Sequence, residues 1–192
     1  AEKNLVKYAV FVSMFAQISS GPIERAENML PQLSQPKPYD YDRLACGFSR
    51  ILWGFFKKFV LANKIGSMVA VVYGDVEGFS GPFLVLASLL YSYQLYLDFG
   101  GYSDIAIGIM QALGFDVMEN FRRPFAARRY TQLWDRWHIS LTSWFRDYVF
   151  TPISFSIRGV QGKAGKALGW LAIFIIFPLS GIWHGAGLGF LM

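Results

Sequence analysis

Apolar and polar positions divide this chain into long uncharged runs separated by charged clusters. Phe79 to Leu97 holds 19 residues without a charge, and the run from Ala167 to Met192 is longer still. Tyr8 to Ile23 and Ile105 to Phe115 are shorter uncharged runs. About 20 predominantly apolar residues cross a hydrocarbon core as a helix, so the two long runs are predicted spans, with Phe79 to Leu97 the strongest. Leu5 to Ser20 reads as a membrane helix entering a Gly21-Pro22 break. Glu24 to Asp42 is polar and carries Pro31, Pro36 and Pro38, the mark of a loop with at most a short helical turn. Tyr41 to Tyr73 is helical in pattern but interrupted by Arg50, Lys57, Lys58 and Lys64, which suits a tilted or interfacial helix with snorkelling lysines. Asp98 to Asp104 contains Gly100-Gly101, a natural break before a second helical piece to Phe115. Residues 131 to 150 place Trp134, Trp137, Leu141, Trp144, Phe145 and Tyr148 at steps of three and four, opposite Arg136, Ser140, Ser143 and Asp147. That spacing predicts one amphipathic interfacial helix, with His138 on its apolar side. The predicted architecture is all-α: a single membrane domain over residues 1–192, a polytopic helix bundle with broken or re-entrant and interfacial helices.

Composition sharpens this picture. Hydrophobic residues make up 54% of the chain and charged residues 16%, where a soluble domain is about a quarter charged. The net charge of +5 raises nucleic acid as a partner, but its distribution excludes that class. Basic residues cluster at the edges of the apolar runs: Lys57, Lys58 and Lys64; Arg122, Arg123, Arg128, Arg129 and Arg136; Arg158, Lys163 and Lys166. Cytoplasmic loops carry this bias, and they face anionic lipid. Gly74 to Ser80 has Asp75 and Glu77 without a basic residue, which puts it on the outer side. Cys46 is the only cysteine, so no intrachain disulfide forms. The sequence shows no initiator Met and no signal-peptide pattern, and its last apolar run lacks a closing polar flank. It is expected to be the central portion of a longer chain.

Candidate chemistry centres on two histidines. His184 sits in Gly181-Ile182-Trp183-His184-Gly185-Ala186, inside the long apolar run. An ionisable group there is costly, and marks a functional site by default. The competing reading is a structural histidine bonded to a backbone carbonyl. Gly181, Gly185, Ala186, Gly187 and Gly189 would either let helices pack closely or leave room for a substrate. His138 is weaker alone, and ring packing among tryptophans competes with function there. Asp98 and Asp104 lie in apolar surroundings, where a carboxylate needs a partner; an ion pair that fixes the glycine break is the favoured role. The arginines between 122 and 136 suit phosphate, and topology or lipid head groups explain them equally well. Two histidines and one cysteine offer no metal-ligand cluster. Gly159-Val160-Gln161-Gly162-Lys163 lacks the Walker spacing.

Four stretches together resemble the membrane-bound O-acyltransferase family, and within it the bacterial branch of alginate and peptidoglycan O-acetyltransferases, with the teichoic acid D-alanyl transfer proteins close by. They are Ser20-Gly21-Pro22-Ile23-Glu24-Arg25, the segment Leu97 to Gly108, the segment Glu119 to Tyr148 with its Arg136-Trp137-His138, and Gly181 to Ala186. The resemblance implies that His184 is catalytic and that His138 is a second functional position; Asp98, Tyr102, Trp137 and Trp183 are the candidate substrate-binding residues. It departs at Gly100, where the branch commonly has Ser, and at Pro152-Ile153-Ser154-Phe155, which replaces a Pro-Leu-Gly-Gly pattern; both leave the substrate subgroup open. The resemblance further implies transfer from a cytoplasmic acyl thioester, acetyl-CoA or carrier-linked, used as a substrate with no bound cofactor. The acceptor would be a cell-surface polysaccharide hydroxyl, reached directly or through an extracytoplasmic esterase-like acyltransferase partner. The location would be the bacterial inner membrane, with several passes through the lipid bilayer. Two other classes stay open at this point: a proton-coupled transporter or channel using His184 with Asp98 and Asp104 as a relay, and a structural subunit that holds a partner enzyme.

Overall fold

The computed structural model describes residues 3–157, 159–160 and 162–185, and among these every regular element is helical. The chain divides into two compact units, Ala1–Ser140 and Leu141–Met192.

The first unit is organised by two long helical segments. Helix α3 (Tyr41–Phe55) continues through a π-helical turn, Phe56–Ala62, into α4 (Asn63–Gly74), so the predicted helix from 41 to 73 is present as one run. Asp40 starts it, its side chain accepting from the Arg43 N–H at 3.0 Å. Helix α5 (Gly81–Ala112) has Pro82 in its first turn, where a missing N–H costs nothing. It stops at Gly114, whose φ of +87° is the left-handed geometry that glycine supplies without a Cβ penalty. There the Phe115 N–H bonds back to the Met110 carbonyl at 2.8 Å.

Gly100 and Gly101 do not break α5, contrary to the sequence expectation. Their surroundings give the reason. A Cβ on Gly101 would meet the Gly54 carbonyl oxygen at 2.8 Å, and one on Gly54 would meet the Gly101 carbonyl at 2.6 Å. Gly47 and Gly108 face each other in the same reciprocal way, both at 2.7 Å. The glycines recur seven residues apart on each helix, in opposite directions, and form an antiparallel seam where two backbones touch. Small residues at a helix interface permit such an approach.

The N-terminal run also differs from expectation. Helix α1 (Leu5–Val12) ends before Ser13, and the chain then turns so that Met14 and Ala16 join a cluster with Met29 and Met110. Burying these apolar groups in the interior outweighs continuing an exposed helix to Ser20. The proline-rich stretch contains α2 (Ala26–Leu33), with Pro31 inside it and Met29 wholly buried. Gln32 Nε2 donates to the Asp116 carbonyl at 2.8 Å and its Oε1 accepts from the Asp116 N–H at 2.8 Å, which docks α2 on the segment after α5.

The predicted amphipathic helix over 131 to 150 is three pieces: α6 (Tyr130–Trp134), α7 (Ile139–Phe145) and a π-helical turn, Arg146–Phe150. The interruption falls at His138, whose φ is +43°. Residue 138 therefore does not lie on one wheel with Trp134 and Phe145.

In the second unit, α8 (Thr151–Ser156) leads to α9 (Gly162–His184). Ala167–His184 is the one described helix long and apolar enough to cross a membrane, with a mean hydropathy of 1.7. Helix α5 is longer, but its polar residues, Ser92, Gln94, Asp98 and Asp104 among them, dilute it, so among the described residues α9 rather than Phe79 to Leu97 is the candidate span.

The glycine seam makes a direct prediction. Gly54→Val and Gly101→Val in the full-length protein are each expected to lose roughly 1–3 kcal/mol or more from backbone overpacking. Gly81→Ala, which meets open space, should leave the melting temperature in detergent within a degree or two. Equal melting for all three would show that the helices do not depend on this contact.

Candidate functional site

Close approach of α3 and α5 brings charges together beside the seam. Arg50 on α3 binds Asp104 on α5, Nη2 to Oδ1 at 2.9 Å, and grips Glu119 with both terminal nitrogens, at 2.7 and 2.5 Å. Lys57 reaches the other oxygen of Asp104. Its neighbour Lys58 binds Asp98 at 2.5 Å. Adjacent residues on an α-helix point about 100° apart, yet from the wider π-helical turn both lysines reach the same helix. Lys57 is only 8% exposed, so it does not snorkel outward as the sequence suggested. It is stabilised in the interior by its carboxylate. Asp98 and Asp104 are thus both ion-paired, and what they fix is the α3–α5 interface rather than a break.

Beside these pairs lies a cavity of about 790 Å³. Lys57, Tyr96, Ser103 and Asp104 line it from the helices, and Glu119, Asn120, Arg122, Arg123 and Arg136 from the segment beyond α5. That segment is anchored by aromatic rings. Phe121 meets Tyr96, Phe99 and Trp137 edge to face, at 5.5, 5.3 and 5.1 Å between centroids. Trp137 also approaches Phe125 at 6.1 Å.

His138 is 5% exposed, and its ring lies 4.7 Å from that of Phe99. A left-handed backbone at a residue bearing a Cβ costs about 1–2 kcal/mol, and such strain persists only where surrounding contacts impose it. Two backbone bonds bracket the residue. The Arg122 N–H donates to the Arg136 carbonyl at 3.0 Å, and the Ile139 N–H donates to the Asn120 carbonyl at 2.9 Å.

Of the residues singled out from sequence, Asp98, Tyr102, Trp137 and His138 belong to the first unit, and Trp183 and His184 to the second. Tyr102 is half-buried one turn after Asp98 on α5. His184 is the last residue of α9; its side chain is exposed, and its ring stands edge to face with Trp183 at 5.0 Å. Ala186, Gly187, Gly189 and Arg158 lie outside the described residues. Sequence reasoning missed Arg50, Lys57, Ser103 and Asn120. Lys57 carried one available signal, a charged residue within an aromatic and apolar stretch.

The model of the membrane-bound O-acyltransferase family matches residues 2–192. A probable alginate O-acetylase of Pseudomonas syringae pv. tomato is 34% identical over the whole chain, which spans 36% of that relative. A peptidoglycan O-acetyltransferase of Helicobacter pylori is 31% identical over 98% of the chain and 35% of its own length. A teichoic acid D-alanyltransferase of Bacillus subtilis is 33% identical over 91% of the chain and 45% of its own length. The chain belongs to the membrane-bound O-acyltransferase family, and it spans between about a third and a half of the length of these relatives.

The ion pairs predict an order of stabilities. Asp104 serves two cations with its side chain 16% exposed, whereas Asp98 serves one at 46%. Asp104→Asn should cost roughly 2–3 kcal/mol, since a buried cation loses its partner. Asp98→Asn should cost under about 1 kcal/mol, the range of exposed pairs. Thermal unfolding of both variants of the full-length protein checks the order, and a larger effect at Asp98 would reverse it.

Proposed function

We propose that the protein is a membrane-bound O-acyltransferase. It moves an acyl group, acetyl in the simplest case, from a cytoplasmic thioester to a hydroxyl of an extracytoplasmic polysaccharide. The family match across residues 2–192 carries this reading. The relatives' names supply its common chemistry: two are O-acetyl transfer proteins of alginate and peptidoglycan, and one transfers D-alanine to teichoic acid. Each of the three names includes a polymer: alginate, peptidoglycan or teichoic acid.

The reaction needs a base, because a hydroxyl is a poor nucleophile until its proton is taken. In this reading His184 takes that proton as the oxygen attacks the thioester carbonyl. The C–S bond then breaks, and the departing sulfur receives the proton back. His138 would stabilise the oxyanion by a hydrogen bond, with Asp98, Tyr102, Trp137 and Trp183 contacting substrate. The donor is acetyl-CoA or a carrier-linked thioester, and the polymer receives the group directly or through an esterase-like partner outside the membrane.

A several-pass placement in the bacterial inner membrane agrees with the side chains left exposed. On α9, Trp170 is 65% and Phe174 70% exposed, where the core helix of a soluble domain would be covered. Leu52, Val85 and Leu89 on α3 and α5 are likewise exposed. The relay reading loses its appeal because Asp98 and Asp104 are each already engaged by basic side chains.

The test is the ester-linked acetate released by mild base from surface polysaccharides of cells carrying the full-length protein. His184→Ala at matched membrane levels is expected to reduce that acetate at least about 100-fold, the lower range for loss of a general base. Unchanged acetate alongside lost D-alanyl esters would change the acyl group. If both esters were unchanged, His184 would not be the base.

A further inference from the structure

Asn120 is the most thoroughly enclosed polar side chain in the described structure, at 0% exposure together with Ser140. Its position is unusual because it joins three segments. The side-chain Nδ2 donates to Ser103 Oγ on α5 at 3.0 Å. The Oδ1 accepts from Ser140 Oγ at 2.9 Å, with the Ser140 N–H approaching the same oxygen at 3.4 Å. Its backbone carbonyl accepts from Ile139 at 2.9 Å. Residues 139 and 140 are therefore held by the backbone and side chain of one residue, and the residue immediately before them is His138.

We propose that Asn120 is a positioning residue for His138: by tying the first turn of α7 to α5, it imposes the left-handed backbone of His138 and keeps its ring seated against Phe99. A residue bearing a Cβ leaves the left-handed region when released. Neither neighbour of His138 is a glycine that would make the turn easily. The contacts that could hold it must act on flanking atoms, and Asn120 supplies them on the C-terminal side. The amide is suited to this task because it donates and accepts at once. Aspartate keeps the acceptor toward Ser140 but has no N–H for Ser103. Alanine keeps only the backbone bond. A buried amide with every bond made specifies one arrangement, and a partly satisfied one does not.

The catalytic consequence rests on the reading of His138 as the second functional histidine, so the experiment separates the two. In the full-length protein, the rate at which diethyl pyrocarbonate modifies the His138 imidazole is followed by mass spectrometry, with acyl transfer measured on the same preparations. Buried His138 should react slowly in the native protein. Asn120→Ala should raise its rate by about tenfold or more, since reactivity tracks the open population. Asn120→Asp should fall between the two, and serves as the deciding variant should alanine fail to elute as a single folded species. Ser103→Ala, which removes only the tie to α5, should shift the rate in the same direction. An unchanged rate in the folded variants overturns the proposal.

Acyl transfer then reads the consequence. Asn120→Ala should lower kcat with little change in the donor KM. The same substitution made on top of His138→Ala should cost nothing further, because groups acting as a unit are not additive. Full additivity would overturn action through His138. A raised modification rate with undiminished transfer in both Asn120→Ala and His138→Ala would leave the positioning role standing and remove His138 from the reaction.

Discussion

The first unit depends on two helix backbones touching at glycine. Where Gly47 meets Gly108 and Gly54 meets Gly101, α3 and α5 lie closer than side chains would permit. That closeness brings Arg50, Lys57 and Lys58 within reach of Asp98 and Asp104. Close approach and charge pairing support each other. Without the seam the carboxylates would be held too far from the cations, and without the ion pairs a buried lysine would be too costly to retain. The cavity is a product of this arrangement, since its helical wall is built from residues flanking the seam.

The segment beyond α5 closes the other side of that cavity by different means. Side chains rather than touching backbones hold it: Phe121 meets Tyr96 and Phe99 of α5 edge to face, Arg50 grips Glu119, and Asn120 donates to Ser103. Two residues there, Arg123 and His138, have left-handed backbones, at φ of 48° and 43°. Both lie in Glu119 to Tyr148, one of the stretches that carry the family resemblance. Strain of this kind accumulates where side chains must be aimed rather than merely packed. The arrangement joins a rigid helical platform to a loop whose conformation is imposed from outside.

Much of the helical content was legible in the residues, and its interruptions were not. The run from Tyr41 to Gly74 announced itself by periodicity, and α9 by its lack of charge. The Gly100-Gly101 pair was misread because a glycine pair signals either a break or a close approach, and only the presence of Gly54 opposite decides which. The helix over 131 to 150 was misread for a related reason: spacing at three and four survives a single left-handed residue, so periodicity cannot report His138. The histidines themselves were legible as rare ionisable groups. The residues that hold the segment around one of them, Ser103, Asn120 and Ser140, were not, since they meet through hydrogen bonds spanning 17 and 20 positions.

The π-helical turn at Phe56–Ala62 bears on how this protein should be aligned with its kin. Such a turn holds more residues than the α-helical turn it replaces. A relative one residue shorter here would keep an unbroken helix, and the gap would look harmless. It would nonetheless rotate everything on one side of the gap, and Lys57 and Lys58 could no longer both reach α5. In this stretch, chain length encodes charge pairing, and an insertion or deletion rewrites it while leaving the paired residues themselves unchanged.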